Sequence, residues 1–549
     1  MIGIISRHSQ KSWVEEFFEL FKTPWEFYDS SKEYDVLIVT SSSANIPSAK
    51  LTIIYSQLPQ SDIIYNSFSA LNGSRLVGND QVVFPIYRSC ALFKADKNTL
   101  LKDKGQGLQV GMEYMDRGQR VLHIGYDLFD EIEFLLSVGQ PCDFSKIPTV
   151  EIHISLLREW ILQSGIPLIE IPPVPYGHGF IACLTHDVDF IGIKDHLLDR
   201  SLFGFIYRSF VPVYSRGLKF NSALPRLIKN LKAVVSLPAV CLGLARDFWF
   251  DIDRYMQMEE GIPATYFFIP FKNHPGHSVG IDPPGCRAAK YDIVNHEEIV
   301  RSLTENGNEI GLHGIDAWHH PQKGVEECQV IKRTSGSDCS GVRMHWLYFS
   351  EASPAVLEKA GLKYDSSLGY NETIGFRSGT TQVFRLPGSN LFELPLNIMD
   401  TALFTENRLA LSEDIAYRLC ECLIKDVSAY GGVLTINWHT RSLSPERNWD
   451  EFYGGLLRTV KKWKPWFASG KQAVNWHVKR REASFGSVKP KGNKLTGQLA
   501  SGTDETSSPP LTLRTFFPVR QSATGSTDNH WAWYSIDSPV SDSYIEVAV

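Results

Sequence analysis

The sequence predicts an α/β protein: a distorted barrel of parallel strands and helices, preceded by a smaller α/β domain and followed by a disordered C-terminal tail. Three observations predict it. From Phe180 to about Lys479, strand-like apolar runs alternate with helical stretches. Five runs end in polar clusters, where such barrels place their chemistry: Thr185-His186-Asp187-Val188-Asp189, His313-Gly314-Ile315-Asp316, Val342-Arg343, Tyr364-Asp365-Ser366-Ser367 and Asn437-Trp438-His439. Beyond Glu482, Ser, Thr, Gly and Pro dominate until a short aromatic patch at Trp531 to Tyr534.

Residues 1–147 read as the small domain, of unknown role. Apolar runs at Ile2 to Ile5, Val36 to Thr40, Leu51 to Tyr55 and Val82 to Tyr87 predict strands, and the stretch from Trp13 to Phe21 a helix. No glycine fingerprint follows the first strand, so nucleotide binding has no support there. In 148–179, Val150, Ile154, Leu157 and Ile161 recur at helical spacing between a capping Thr149 and a stop at Gly165, and a Pro-rich linker, Ile171 to Pro175, follows. The barrel then occupies 180–480, with a strand at Ala264 to Ile269, a helix at His296 to Asn306 and an insertion at about 195–250; the tail is 481–549.

At 549 residues the chain is longer than one hydrophobic core usually serves, and 43% hydrophobic residues with a net charge of -6 describe an ordinary globular protein. Nucleic acid is not an expected partner. The opening residues lack the charged lead and cleavage site of a signal peptide, so the expected location is the cytoplasm. Nine cysteines without a C-x-x-C pair fit reduced thiols there and receive no chemistry.

Asp187 and Asp189 follow the buried run Phe180 to Leu184 two residues apart, which in an extended chain puts both on one side. So close a pair repels unless a cation lies between, which suggests one metal ligand and one base. His313 ends the run Glu309 to Leu312, with His319 and His320 in the same loop, and histidine with aspartate makes a zinc-type ligand set. Arg343 closes a further run and can hold a carboxylate ionised. His439 ends Val433 to Trp438, a position suited to a general acid.

The T-H-D-V-D segment resembles the T-F-D-D-G first motif of the polysaccharide deacetylases, carbohydrate esterase family four. The stretch from Glu309 to His320 is similar to the region of their H-x-x-x-H motif, Gly341 to Trp346 to their arginine motif, and Leu434 to His439 to their terminal histidine motif. The order matches over roughly 180 to 475. The stretch Tyr364 to Thr381 resembles that of a subgroup of bacterial deacetylase-like proteins carrying T-H-D-V-D. Three departures stand out. The usual D-D is D-V-D, the second histidine of H-x-x-x-H falls at Ala317, and Met344-His345-Trp346 replaces the proline and glycine after the arginine.

The resemblance implies Asp187 as base, Asp189, His313 and His319 as metal ligands, Arg343 orienting the base and His439 as general acid. Asp316 and His320 stand as alternatives for the third ligand. A divalent ion, zinc first from the mixed imidazole and carboxylate donors, is the implied cofactor. The implied reaction is metal-dependent removal of an acyl group, N-acetyl foremost, from a sugar or sugar-lipid intermediate in surface polysaccharide or glycolipid assembly. The alternatives are a cyclic-imide or allantoin-type amidohydrolase and a catalytically degenerate glycan-binding barrel. Residues 201–245 contain Arg208, Arg216, Lys219, Arg226, Lys229 and Lys232, several aromatics and no acidic residue. This basic amphipathic segment suits either a helical subdomain packed on the barrel or peripheral contact with the inner face of the cytoplasmic membrane.

Overall fold

The computed structural model describes residues 1–40, 46–57, 68–71, 73–93, 98–196, 199–215, 220–277, 287–386, 388–486, 489–491, 494–500, 508–521, 530–540 and 544–548. The chain forms two compact units. The first comprises 1–177, 377–387 and 476–549, and the second 178–376 and 388–475.

In the first unit the strands Trp25–Phe27, Ile2–Ile5, Val36–Val39, Leu51–Tyr55 and Gln119–Ile124 lie side by side and parallel. Antiparallel strands Gln109–Asp116, Thr99–Asp103, Arg75–Gly78 and Val83–Ile86 extend the sheet. The helix Lys11–Phe21 buries Val14, Phe17, Phe18 and Phe21, which follow one helical face. Thr149–Gln163 is a helix, as the spacing predicts.

The tail differs from the sequence expectation of disorder. Thr512–Gln521 and His530–Pro539 form an antiparallel hairpin that pairs with Leu168–Glu170. Lys494–Ala500 pairs with Tyr544–Ala548. Leu511, Leu513 and Phe517 are buried. The polar composition misled because alternate residues of an edge hairpin need supply only one apolar face. The patch at Trp531 to Tyr534 lies on that hairpin.

The second unit holds the predicted parallel sheet. Its strands run in the order Phe392–Glu393, Tyr364–Asp365, Gly341–Met344, Glu309–Gly314, Ala264–Phe268, Ile181–Val188, Val433–Asn437 and Ile398–Met399, every neighbouring pair parallel. Followed from Ile181, this is the sequence order of a singly wound barrel. It is open at one seam, between Phe392–Glu393 and Ile398–Met399, which are consecutive in the chain.

Strand alternation sorts the side chains. Ala182, Leu184, Tyr266, Phe268, Ile310, Leu312, Val342, Leu434 and Ile436 join one hydrophobic core with the covering helices. Helix Glu413–Tyr430 supplies Ala416, Cys420, Leu423, Ile424 and Val427 to it, and helix Asp450–Lys462 supplies Phe452, Tyr453, Leu456, Leu457 and Val460. The odd-numbered strand positions carry Thr185, Asp187, His313, Arg343 and Asn437, the polar residues of the site, and Phe267. Gly311 is required beside them, because a Cβ there would lie 2.6 Å from the Phe267 ring.

The insertion folds as two helices, Arg200–Ser215 and Phe220–Cys241. They share a small core through Phe205, Ala233 and Val240, with Trp249 and Ile193 beneath. Asn230 Nδ2 donates to the Ser209 carbonyl at 2.9 Å. Arg226 and Lys229 pair with Glu413 and Asp450 at 2.7 and 3.1 Å, so two of the segment's cations bind the helices around the barrel.

Glu327, on helix Pro321–Ser335, reaches back to the loop after His313, accepting the backbone N–H of Ile315 at 3.0 Å and of Asp316 at 2.7 Å. Burial pushes this carboxyl up to about 7, against the opposing effect of those N–H groups. A carboxyl raised on folding contributes stability that is complete below its unfolded value and lost as pH rises through the folded one. We expect urea unfolding to show a loss of stability between pH 5 and pH 8 that is smaller in Glu327→Gln by roughly 1–3 kcal/mol.

Candidate metal centre and active site

Strand Ile181–Val188 is buried along its whole length and delivers Thr185 and Asp187, with Asp189 just beyond it. Alternation turns His186 to the other side, where Nδ1 lies 2.8 Å from the Trp438 carbonyl and Nε2 3.1 Å from Glu259. Asp187 Oδ1 accepts Arg343 Nη1 at 3.0 Å, and Oδ2 accepts Asn437 Nδ2 at 2.7 Å. Arg343 is fully buried and fixed on every side. Its Nε donates to the Ser366 carbonyl at 3.0 Å, Nη2 to Ser366 Oγ at 2.8 Å and Nη1 to Thr185 Oγ1 at 2.8 Å. Its plane lies over the Phe267 ring at 4.7 Å. The Tyr364-Asp365-Ser366-Ser367 segment thus orients the arginine.

Asp189 faces two imidazoles. Its Oδ1 lies 3.3 Å from His313 Nε2 and 3.5 Å from His345 Nε2, and one donor atom from each residue falls within 4.8 Å of the others. His313 Nδ1 sits 2.9 Å from the Arg343 carbonyl, an acceptor only, so Nδ1 carries a proton. In neutral His313 the Nε2 lone pair then points at a carboxylate oxygen that itself has only lone pairs. Asp189 Oδ1 is buried without a hydrogen-bond donor. Burial pushes His345 down to about 3, against the pull of Asp189, which leaves that imidazole neutral. Three lone pairs converging in a buried place suit a cation, and the set of one carboxylate and two imidazoles with an open side suits a catalytic divalent ion.

His439 stands opposite, with Nε2 3.9 Å from Asp187 Oδ2 and 3.8 Å from Asp189 Oδ2. Asp400 holds it from behind, accepting His439 Nδ1 at 2.6 Å and its backbone N–H at 2.7 Å, and Ser442 Oγ also donates to Asp400. Burial works to lower His439, but Asp400 first and then Asp189 and Asp187 raise it to about 9. Burial works in turn to raise Asp187, and Arg343, His313 and His439 outweigh it, holding the carboxyl below its ordinary range. Asp189 is likewise held below its ordinary range against burial, with the charge of His439 among the causes.

Five of the six residues singled out in the sequence meet here: Asp187, Asp189, His313, Arg343 and His439. His319 is not among them, which corrects the expected third ligand. Its Nε2 lies 3.2 Å from Asp316 Oδ1, and Asp316 also faces His274 and accepts the His277 backbone N–H, so Asp316 and His319 belong to a separate loop network. His345 takes the position instead. The signal was present in Arg343-x-His345, a two-residue spacing that puts both side chains on one side, as Asp187-x-Asp189 does. The backbone turns immediately afterwards, at Trp346 and Leu347, both with positive φ (66° and 55°). Asp400 and Asn437 were also missed as functional groups, although each lies at or beside a strand end.

The site opens into a cavity of about 290 Å³ walled by Asp187, Asp189, His313, His345, His439 and Arg408 among others. Thr405, Asn407 and Arg447 are common walls with a second cavity of about 530 Å³. Asp189, His345 and Trp346 are common walls with a third of about 430 Å³. The three cavities adjoin through these shared residues, and a ligand reaching more than one of them is larger than one small ring.

Purified protein dialysed against buffer is expected to retain about one equivalent of divalent metal, by elemental analysis. His345→Ala should lower metal affinity by about tenfold or more, while His319→Ala should leave it unchanged.

No family model matches the chain, and no curated protein matches it. Solved structures show a distant likeness. A Mycobacterium smegmatis protein assigned as a polysaccharide deacetylase is 15% identical with a TM-score of 0.34, over 58% of this chain and 99% of that one. Puue allantoinase is 15% identical with a TM-score of 0.34, over 56% and 93%. A polysaccharide deacetylase from Bacillus cereus is 11% identical with a TM-score of 0.26, over 53% and 91%. At this distance the activity has to be judged from the geometry of the site.

Proposed function

We propose that the second unit is a metal-dependent hydrolase that removes an N-acetyl group from a sugar or sugar-lipid intermediate of surface polysaccharide or glycolipid assembly. The observation that carries this reading is a buried carboxylate, Asp187, held ionised by Arg343 beside a three-donor metal cluster, with the His439 imidazole across the opening. Asp189, His313 and His345 would hold the cation, with zinc best suited to two imidazoles and one carboxylate. A divalent ion so held supplies Lewis acidity toward an acyl oxygen and lowers the pKa of water.

The protein's own groups do the rest. Asp187 takes a proton from the attacking water on Oδ2, while Arg343 on Oδ1 keeps it ionised until then. Asn437 fixes the carboxylate plane. Asp400 binds Nδ1–H of His439, which leaves Nε2 toward the cleft, and the raised value keeps that nitrogen protonated at neutral pH. His439 then gives its proton to the departing amine, so the tetrahedral adduct collapses forward. The size of the cleft favours a glycan over a small cyclic imide, and the intact acid and base argue against a degenerate binding barrel.

Peripheral contact with an anionic membrane is part of this proposal. Phe203 and Phe210 on one insertion helix are exposed, and along the other Leu224, Ile228, Leu231 and Val235 are exposed at alternating four- and three-residue spacing. A row of this kind can rest in a lipid interface. Among the described residues no helix is long and apolar enough to cross a membrane.

Acetate release from N-acetylated sugars should stop with chelator and return with added divalent metal. Asp187→Asn should lower kcat by about 10²–10⁴-fold with bound metal retained; undiminished turnover in that variant would overturn the assignment of the base. Removing the anion behind His439, as in Asp400→Asn, should move the alkaline limb of the pH–rate profile down by about 1 unit or more. Vesicles containing phosphatidylserine, but not phosphatidylcholine alone, should co-sediment the protein, and Val235→Asp should reduce this. Equal sedimentation of both proteins would remove the membrane contact.

A further inference from the structure

The 530 Å³ cavity beside the Asp189, His313 and His345 cluster gathers three arginines against two glutamates in its wall. Arg208, from helix Arg200–Ser215, and Arg441 and Arg447, from the segment after His439, line it together with Phe404 and Trp449. Arg441 is accounted for: it is buried, its Nε donates to Glu446 at 2.9 Å and its guanidinium lies 3.7 Å from the Trp249 ring centre. Arg447 donates to the Ser442 hydroxyl at 3.3 Å, feels the Asp400 carboxylate electrostatically and lies 4.9 Å over the Trp449 ring. Among the described residues no hydrogen bond or ion pair engages Arg208. Glu406 is the remaining carboxylate in the wall, and it is exposed.

Partly buried guanidiniums that share a cavity repel one another at a cost that water screens poorly. Burial first, and Arg447 next, lower the Arg208 value against the pull of Glu446 and Glu406, and burial with Arg447 and Arg208 brings Arg441 down to about 9 despite Glu446. Such a cluster is stable when an anion with several oxygens sits between its members, because the planar fork of arginine binds phosphate oxygens in pairs. The aromatic walls offer apolar faces beside that anion.

We infer that this cavity is a subsite for a phosphate-bearing portion of the substrate, gripped by Arg208 and Arg447 while the acyl group lies at the metal cluster. The inference rests on the hydrolase reading for the word substrate, but anion binding can be measured without turnover. The common walls Thr405, Asn407 and Arg447 give one ligand access to both places. A sugar joined through phosphate or pyrophosphate to a carrier has the required chemistry.

The test titrates inorganic pyrophosphate into chelator-treated full-length protein by calorimetry, so that no metal can hold it. Binding should weaken by about tenfold or more in Arg208→Gln and be partly retained in Arg208→Lys. In metal-loaded protein, acetate release from N-acetylglucosamine 1-phosphate should exceed that from the uncharged methyl glycoside in kcat/KM. Arg208→Gln should erase this preference. Pyrophosphate affinity equal in wild type and Arg208→Gln, no binding to wild type, or binding of glucuronate in its place would overturn the phosphate subsite. Arg208-dependent pyrophosphate binding without acetate release from either sugar would keep the subsite and remove the deacetylase reading.

Discussion

Two carboxylates on alternate residues of one strand end, Asp187 buried and Asp189 partly so, cannot both stay ionised at such range without positive charge nearby. The second unit meets this demand separately for the two. Asp187 receives a fixed cation, Arg343, whose own donors are taken up by Thr185, Ser366 and Asp187. Asp189 faces the lone pairs of two imidazoles, an arrangement that waits for a metal ion. The division of charge gives chemically similar residues different work: one is free to accept a proton, and the other is suited to hold a ligand position.

The barrel order makes this possible. His313 and Arg343 sit in register on neighbouring strands, as do Thr185 and Asn437. Each functional side chain is therefore anchored by a parallel strand buried on its far side by helices. Rigid backbone keeps the carboxylates close in spite of their repulsion. His439, on the other flank, depends on Asp400 at the end of the short strand Ile398–Met399. His439 and Asp187 are thus set by different partners, Asp400 for one and Arg343 for the other, and their proton affinities are pushed apart.

The insertion joins the same site. Its outer face exposes large apolar side chains, while Tyr207 and Arg208 from its first helix reach the cavity that adjoins the metal cluster. An apolar outer surface beside an arginine-lined cleft is coherent for a substrate with a sugar, a phosphate and a lipid carrier, since one short element would then meet both the carrier's surroundings and its charged link. Arg226 and Lys229 do a different job from the one their charge suggests in sequence, tying the insertion to Glu413 and Asp450.

The sequence by itself determined the parallel α/β architecture and picked out five polar residues that the fold brings together, because apolar runs ending in polar groups are a local pattern that needs no partner to be read. It also carried His345, two residues after Arg343, although the histidine-rich loop at His319 drew the ligand assignment away. Which histidine completes the cluster depended on distance across strands, and Asp316 captures His319 in a loop network of its own. Asp400 and the Arg208–Arg447 pairing were likewise decided only by the tertiary structure, since their partners lie tens to hundreds of residues away. The tail was misread for a related reason: its strands are held by pairing with Leu168–Glu170, an edge far back in the chain, and composition alone does not record such an edge.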